Sequence, residues 1–466
     1  MDLKKCQIFT PTEIVNLMLD KVGYNKGIFG KKIIDNSCGN GNFLVEILRR
    51  FLQEAKRKKV SKKDIKYNIE QCIVGYEIDV VKYNECIQRL NEVALEYKIN
   101  DICWNIHCVD GLSVDKDNEF DYVVGNPPYI AYKDLDKKIR IEVKEKFVSC
   151  KKGKFDYSYA FIEKGLRLLK LQGKMIMISP SNMFKTVFGR ALRELIKPHL
   201  ISIINCGHDK IFEKVLTSPS ITIYQKNCQQ TLIEYQVGLD GEGHFVNKET
   251  LSDKWIFEKT NNGIKRFGDY FRVSNSIATL SNKVFIHNVD KNGQVIIDDV
   301  CIEDEVLRIA KSPRSEKYAV KQKIIFPYGY KKGELVRVGE TDFKSKYPSA
   351  YHYLTTKKEE LEKRDSDGSA KWFEYGRSQA LSHLNQKKLM LSSIITNEVI
   401  VYELEKDEIP YSGVYIIPKA NKSLKEAIKI LKSEEFYKYL LGIGIPVSGD
   451  SIRISSKDIE NYKFEG

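Results

Sequence analysis

The chain has no C-x-x-C pair. Its ten cysteines, from Cys6 to Cys301, are scattered, a pattern that excludes a disulfide framework and argues against a structural zinc site. There is no apolar run near the ~20 residues needed to cross a bilayer, and no secretory signal pattern. Internal repeats and low-complexity segments are missing too. A Gly-x-Gly turn occurs at Gly39 and Gly41, but the full G-x-G-x-x-G dinucleotide pattern does not, which argues against NAD. These absences leave the expectation of a soluble protein with reduced thiols.

The 466 residues have room for two or more sizeable cores. Lys and Arg number 76 against 63 Asp and Glu, a net charge of +13. That excess favours a polyanionic partner, although a solvated basic surface gives the same count.

Residues 120–132, FDYVVGNPPYIAY, organise the rest. A buried strand, Phe120 to Val124, runs into Asn126-Pro127-Pro128-Tyr129. Two successive prolines remove two backbone donors and fix two φ angles, so the loop keeps its shape. It presents the Asn126 side-chain amide and the Pro127 carbonyl beside the Tyr129 ring. Two such acceptors take both protons of a planar NH2 group while an aromatic ring stacks on its plane, which draws the nitrogen lone pair out of conjugation. An ordinary Pro-Pro turn after a strand is the competing reading.

Upstream, IFTPTEIVNLMLD (8–20) carries a helix start signal: Thr10 as cap, Pro11 at the first helical position and Glu13 three residues after the cap. Three strands then end in acids. Ile33-Ile34 leads into Asp35 and the glycine turn, Cys72 to Tyr76 ends in Glu77, and Trp104 to Cys108 leads to Asp110-Gly111. Carboxyl ends of parallel strands share one sheet edge, so these acids and the Asn126 loop are expected in one crevice. The Lys-rich stretch 55–67 reads as a solvated helix end and loop, and 133–154 as a mobile flap with one short helix. Phe212, between two short strands, fits a packed loop or a second aromatic wall. Past about residue 230 the βα alternation stops. There, in KIIFPYGYKKGELVRV and KWFEYGRSQALSHLNQKKLMLSS, aromatics alternate with Lys, Arg, Gln and Asn. That mixture suits phosphate and base-edge contact, or else an α+β domain with a basic surface. A final helix is expected at about 423–441.

The succession FTPTEIV, DNSCGNGNF, GYEID, VDG and NPPY, continued by KGKFDYSYAFIEKGLRLLKLQGKMIMISPSNMF and IFEKVLTSPS, resembles the gamma-group (TaqI-like) DNA adenine-N6 methyltransferases of type II restriction-modification systems. The likeness is dense over residues 7 to about 227 and looser beyond, at FEYGRSQAL and SGDSIRISSKDI. It implies an α/β fold: a Rossmann-like S-adenosylmethionine-dependent catalytic domain with a mostly parallel sheet at 1–235, then an α+β target-recognition domain at 236–466. Thr10, Asp35 and Ser37 would hold the methionine end of S-adenosylmethionine, with Gly39 and Gly41 letting it approach. Glu77 would take the ribose hydroxyls, Asp110 and Gly111 the adenine, and Phe161 would pack on the cofactor. Asn126 and Pro127, stiffened by Pro128, would accept the target amine's protons, and Tyr129 and Phe212 would sandwich the flipped base. No metal is expected.

The implied partner is double-stranded DNA, bound by a monomer in the cytoplasm of a bacterium or archaeon, with any cognate restriction endonuclease acting separately. The alternatives are other planar amines: cytosine N4, RNA adenine or protein glutamine. One departure is Asn36, where many relatives carry proline; it loosens the turn and removes no ligand group.

Overall fold

The structure is a computed structural model that describes residues 9–207, 211, 219–257, 263–419, 422–447 and 451–465. The chain forms two compact units, residues 1–257 and 258–466.

In the first unit the elements alternate as α1 (Thr12–Val22), β1 (Ile33–Asp35), α2 (Asn42–Arg57), α3 (Lys62–Cys72), β2 (Ile73–Tyr76), α4 (Val80–Glu96), β3 (Asn105–His107), β4 (Phe120–Gly125), α5 (Lys137–Lys146), α6 (Ser158–Leu168), β5 (Leu169–Pro180), α7 (Arg190–Ile196), β6 (Leu200–Asn205), β7 (Pro219–Gln225), β8 (Leu232–Val237) and β9 (Gly243–Asn247). The strands make one sheet in the order β3-β2-β1-β4-β5-β7-β6-β8-β9. From β3 to β5 every neighbour is parallel, and β7 runs against both β5 and β6. The expected α/β fold with a mostly parallel, Rossmann-like sheet is therefore present.

Strand sequences explain why the sheet is buried on both faces. Ile33, Ile73, Val124 and Ile176 belong to one core cluster together with Val15, Met18, Phe43 and Leu48 of α1 and α2. Their chain neighbours Ile34, Val74, Val123 and Met175 belong to the other, with Phe161, Ile162 and Leu192 of α6 and α7. Successive strand residues point to opposite faces, so continuous apolar strands need helices on both. Glu54 on α2 tightens one layer. Burial raises its pKa, but the backbone N–H groups of Ile28, Gly27 and Phe29 donate to its carboxylate and together hold it below the ordinary glutamate range.

Several local expectations are corrected. Helix α1 starts at Thr12 with Pro11 as N-cap and without any side-chain cap, because Pro11 sits at ψ 149°, outside the helical region. The residue before a proline is pushed to extended backbone, so Thr10 lies upstream of the helix and its hydroxyl turns elsewhere. In the Lys-rich stretch, helix α3 begins behind Ser61, whose side chain accepts from the Asp64 amide. The final helix is two, Leu424–Leu431 and Glu434–Ile443, the second capped by Ser433. Strands β8 and β9 carry the first unit past residue 235, to Phe257.

The second unit holds two four-stranded sheets. One orders Phe271–Asn275, Val414–Pro418, Lys388–Leu391 and Val401–Leu404, all antiparallel; the other orders Ile286–Asn288, Gln322–Ile325, Leu307–Lys311 and Glu408–Pro410. Here most of the aromatics read as suited to nucleic acid are core, while Tyr330 and Trp372 are only partly buried. Phe326, Tyr328, Phe373 and Tyr375 are buried together, and the Tyr375 hydroxyl donates to the Ile325 carbonyl at 2.7 Å. A large aromatic gains more from burial than from exposure, and its hydroxyl finds a partner inside. The Lys331 and Lys332 side chains between them remain exposed.

Candidate functional site

Strand order reverses between β1 and β4, where Asp35 pairs with Val124. At such a switch point the loops leaving neighbouring strands part and open a crevice at the carboxyl ends. The cleft found there is open to solvent; its walls include Thr10, Asp35, Ser37, Gly39, Glu77, Asp110, Gly111, Asn126, Pro127, Pro128 and Phe161. The four strand ends that the sequence singled out thus converge on one site.

Three carboxylates meet in this cleft, and among the described residues no Lys, Arg or His is one of its walls. Asp35 is fully buried, and burial raises its carboxyl to about 7 despite the Ser37 amide that donates to Oδ1 at 3.0 Å; nearby Glu77 pushes the same way. Burial likewise raises Glu77, although the amides of Gly39 and Asp79 donate to its two oxygens at 2.8 Å each. Burial raises Asp110 as well, opposed by the Leu112 amide at 2.9 Å. Lys146 opposes the shift at Asp110 only, and acids held above their ordinary range suit a cationic ligand. Each carboxylate oxygen has a second lone pair, so Glu77 can accept from a diol while keeping its backbone partners. Asn36 is 1% exposed, and neither its Oδ1 nor its Nδ2 has a hydrogen-bond partner among the described residues. A buried amide so placed is stabilised by a ligand or water that reaches it.

Not every predicted residue faces the cleft. Gly41, at φ +86°, is the N-cap of α2, and a Cβ there would lie 2.6 Å from the Cys86 sulfur of α4. This glycine allows helix packing and is not among the cleft's walls. Tyr129 is not a wall residue either; its hydroxyl donates to the Ile178 carbonyl at 3.0 Å, fastening the loop to the end of β5. Phe212 lies outside the described residues. The sequence reading missed Phe9, Asn42, Tyr76 and Tyr157, all cleft walls. Phe9 and Asn42 adjoin recognised motifs, whereas Tyr157 enters only because α6 packs behind the loop: its amide donates to the Ile130 carbonyl at 3.0 Å and its ring meets Phe161 edge-on. Among the described residues no group of three or more His, Cys, Asp or Glu is arranged to hold a metal ion, and no helix is long and apolar enough to cross a membrane.

The Eco57I restriction-modification methylase family matches residues 27–212. A type II restriction enzyme and methyltransferase of Escherichia coli, RM.Eco57I, is 26% identical over 84% of this chain and 49% of its own length. A type II methyltransferase of Haemophilus influenzae, M.HincII, is 22% identical over 98% of this chain and 88% of that one. Against the first curated relatives the chain spans about half their length or less, 49% and 43%. Among solved structures, the type IIL restriction-modification enzyme MmeI in complex with DNA superposes with a TM-score of 0.61, at 13% identity, over 97% of this chain and 65% of that one. A nuclease-deletion mutant of the type ISP enzyme LlaGI with a DNA substrate mimic gives 0.59, at 13% identity, over 97% and 46%. Over residues 27–212 the sequence is thus similar to the Eco57I restriction-modification methylase family, and over nearly the whole chain the fold is similar to those of MmeI and LlaGI.

Proposed function

We propose that this chain transfers a methyl group from S-adenosylmethionine to the exocyclic N6 amine of an adenine flipped out of double-stranded DNA. The observation that carries the reading is the cleft itself: the buried Asp35 and Glu77 and the half-buried Asp110, opening onto the Asn126-Pro127-Pro128 loop at the sheet's switch point. The matched relatives support it, since RM.Eco57I is a restriction enzyme and methyltransferase and the MmeI structure contains DNA.

S-adenosylmethionine fits the donor set, being a cation with a ribose diol; when bound it supplies a methyl group activated by its sulfonium. Asp35 and Ser37 would hold its amino-acid end, Glu77 the diol and Asp110 the adenine, with Phe161 and Tyr157 offering ring surface. The Asn126 amide oxygen and the Pro127 carbonyl accept the two amine protons, so that the nitrogen lone pair is localised for in-line attack. The loop holds these acceptors still, because two prolines and the Tyr129 bond to β5 fix it. A stacked adenine cannot reach a cleft at the sheet edge, and unstacking it costs a few kcal/mol, offset by contacts to the extruded base. The second unit, residues 258–466, would carry target recognition. A separate cognate endonuclease, a monomeric state and a cytoplasmic setting complete the proposal.

The decisive experiment is long-read modification sequencing of DNA from a methylation-free host expressing the chain. Methyladenine at one sequence motif is the expected result and would identify the recognition site. Unmodified DNA from soluble, S-adenosylmethionine-binding protein would overturn the DNA reading and leave RNA adenine or a protein amide; modified cytosine would move it to N4 chemistry.

The acids also predict how cofactor binding depends on pH. A cation favours ionised Asp35, whereas the free protein holds that carboxyl near 7. Below pH 7 binding must therefore expel a proton, and affinity should rise by up to about tenfold per pH unit toward neutrality, then level off. Calorimetry in buffers of different ionisation enthalpy should show proton release at pH 6 and little from this group at pH 8. In Asp35→Asn the release at pH 6 should fall by this group's share, leaving what the raised Glu77 and Asp110 carboxyls contribute.

A further inference from the structure

Thr10 and Asn126 are 116 residues apart in sequence, and Nδ2 of Asn126 donates to Oγ1 of Thr10 at 3.2 Å. A carboxamide is a donor on one side and an acceptor on the other, and a half-turn about χ2 exchanges them. To receive an amine proton Asn126 must present Oδ1; the flipped amide would set NH2 against NH2. We propose that Thr10 is a positioning residue for the transfer step: its hydroxyl oxygen engages Nδ2 and so fixes the Asn126 amide with Oδ1 toward the target amine. This rests on the methyl-transfer reading above.

The arrangement around Thr10 suits that task. Thr10 is 3% exposed. Its carbonyl accepts from Nδ2 of Asn42 at 2.9 Å, and Oδ1 of Asn42 accepts from Nη1 of Arg89 at 2.6 Å. Arg89, on α4, also donates to the Asn40 carbonyl at 2.8 Å and is not a cleft wall. Oγ of Ser37 lies 3.5 Å from the Asn126 carbonyl oxygen, so the backbone of the same residue is tied to the β1 turn. Asn126 is thus held at both its side chain and its main chain by the two hydroxyl residues that the resemblance gives to the cofactor. The Thr10 oxygen acts as an acceptor, and its own proton stays available to a ligand. Serine keeps this acceptor and valine removes it at nearly constant volume.

The test uses the full chain with 15N-asparagine labelling, the Asn126 carboxamide signals being assigned by their loss in Asn126→Ala. In Thr10→Val their hydrogen exchange should accelerate at least about tenfold, while Thr10→Ser recovers most of the protection. The single-turnover rate at saturating DNA and S-adenosylmethionine should fall about 10- to 30-fold in Thr10→Val and recover in Thr10→Ser. Because cofactor and DNA are saturating, any weakening of the cofactor through the lost Thr10 hydroxyl does not enter this rate, and joint recovery of rate and Asn126 exchange in Thr10→Ser is a pairing that general loosening of the site would not give. Thr10→Ala serves as a second variant should the valine protein fail to fold. Unchanged Asn126 exchange in Thr10→Val, or an unchanged rate at saturating cofactor and DNA, would overturn the proposal. A hydroxyl proton donated to a flipped amide would leave the Asn126 NH2 unprotected in the wild type, and this also overturns it. If the wild-type chain methylates no DNA, the methyl-transfer reading fails, and the exchange data still decide whether Thr10 holds Asn126.

Discussion

Replacing Asn126 by alanine is expected to lower the single-turnover rate of DNA methylation by roughly 100- to 1000-fold, the range found when one preorganised hydrogen-bonding group is removed from a reacting centre. An aromatic amine has its lone pair delocalised into the ring, and attack requires that pair on nitrogen. In the proposed reaction Asn126 and Pro127 accept one proton each, so losing Asn126 leaves one acceptor and an amine free to rotate. The effect should sit in the rate constant and not in cofactor affinity, because the acids that suit the cofactor lie on the Asp35, Glu77 and Asp110 turns. Rapid-quench methylation with saturating DNA and S-adenosylmethionine, beside a direct Kd for the cofactor, separates the two. A rate within threefold of wild type would remove Asn126 from the chemistry. Tyr129→Ala should be milder, since Tyr129 is not a wall of the cleft and its loss removes the hydrogen bond to the Ile178 carbonyl, which should loosen the loop from β5.

The part of the fold that sequence made legible is the part where one rule dominates. Ile33-Ile34 and Cys72 to Tyr76 are apolar without alternation because both sheet faces are covered, and an acid at the end of such a strand has only the carboxyl edge to occupy. Asp35, Glu77, Asp110 and Asn126 were therefore readable as one crevice from order alone. What failed was whatever depends on the residue opposite. The glycine turn announces flexible backbone at Gly41, but the sequence does not say that Cys86 of α4 stands 2.6 Å from where a Cβ would be. Thr10 carries the letters of a helix cap, yet Pro11 takes that position and the hydroxyl meets Asn126 from 116 residues away. Helix α3 was hidden because its lysines read as a solvated run, although Ser61 and Asp64 spell its cap. In the second unit many strands are two to five residues long, too short for period-two patterning to show, so buried Tyr375 and exposed Lys332 looked alike.

Gly111→Ala is expected to damage both stability and cofactor binding, for a steric reason that can be followed atom by atom. A Cβ on Gly111 would lie 1.8 Å from the backbone oxygen of Asn36 and 2.8 Å from its carbonyl carbon. Backbone cannot swing aside as a side chain can, so the β1 turn and the turn after β3 must separate by more than an ångström. Overpacking against flexible neighbours already costs about 1–3 kcal/mol, and a clash with main chain belongs at or above the top of that range. The turns that would part carry Asp35 and Asp110, the acids at opposite ends of the cleft's donor set. A displacement of about 1 Å in such a constellation costs on the order of 100-fold. Cofactor affinity should fall by about that factor, with a drop in the thermal midpoint. Gly329→Ala is the matched control: nothing lies within 4 Å of its added Cβ, and surface substitutions of that kind stay within about 0.5 kcal/mol. If Gly111→Ala binds S-adenosylmethionine as tightly as the wild type, the close approach of these two turns is not what shapes the site. If affinity falls while the Gly329 variant is unchanged, the contact between the Asn36 and Gly111 backbones sets the spacing of the acids around the cofactor.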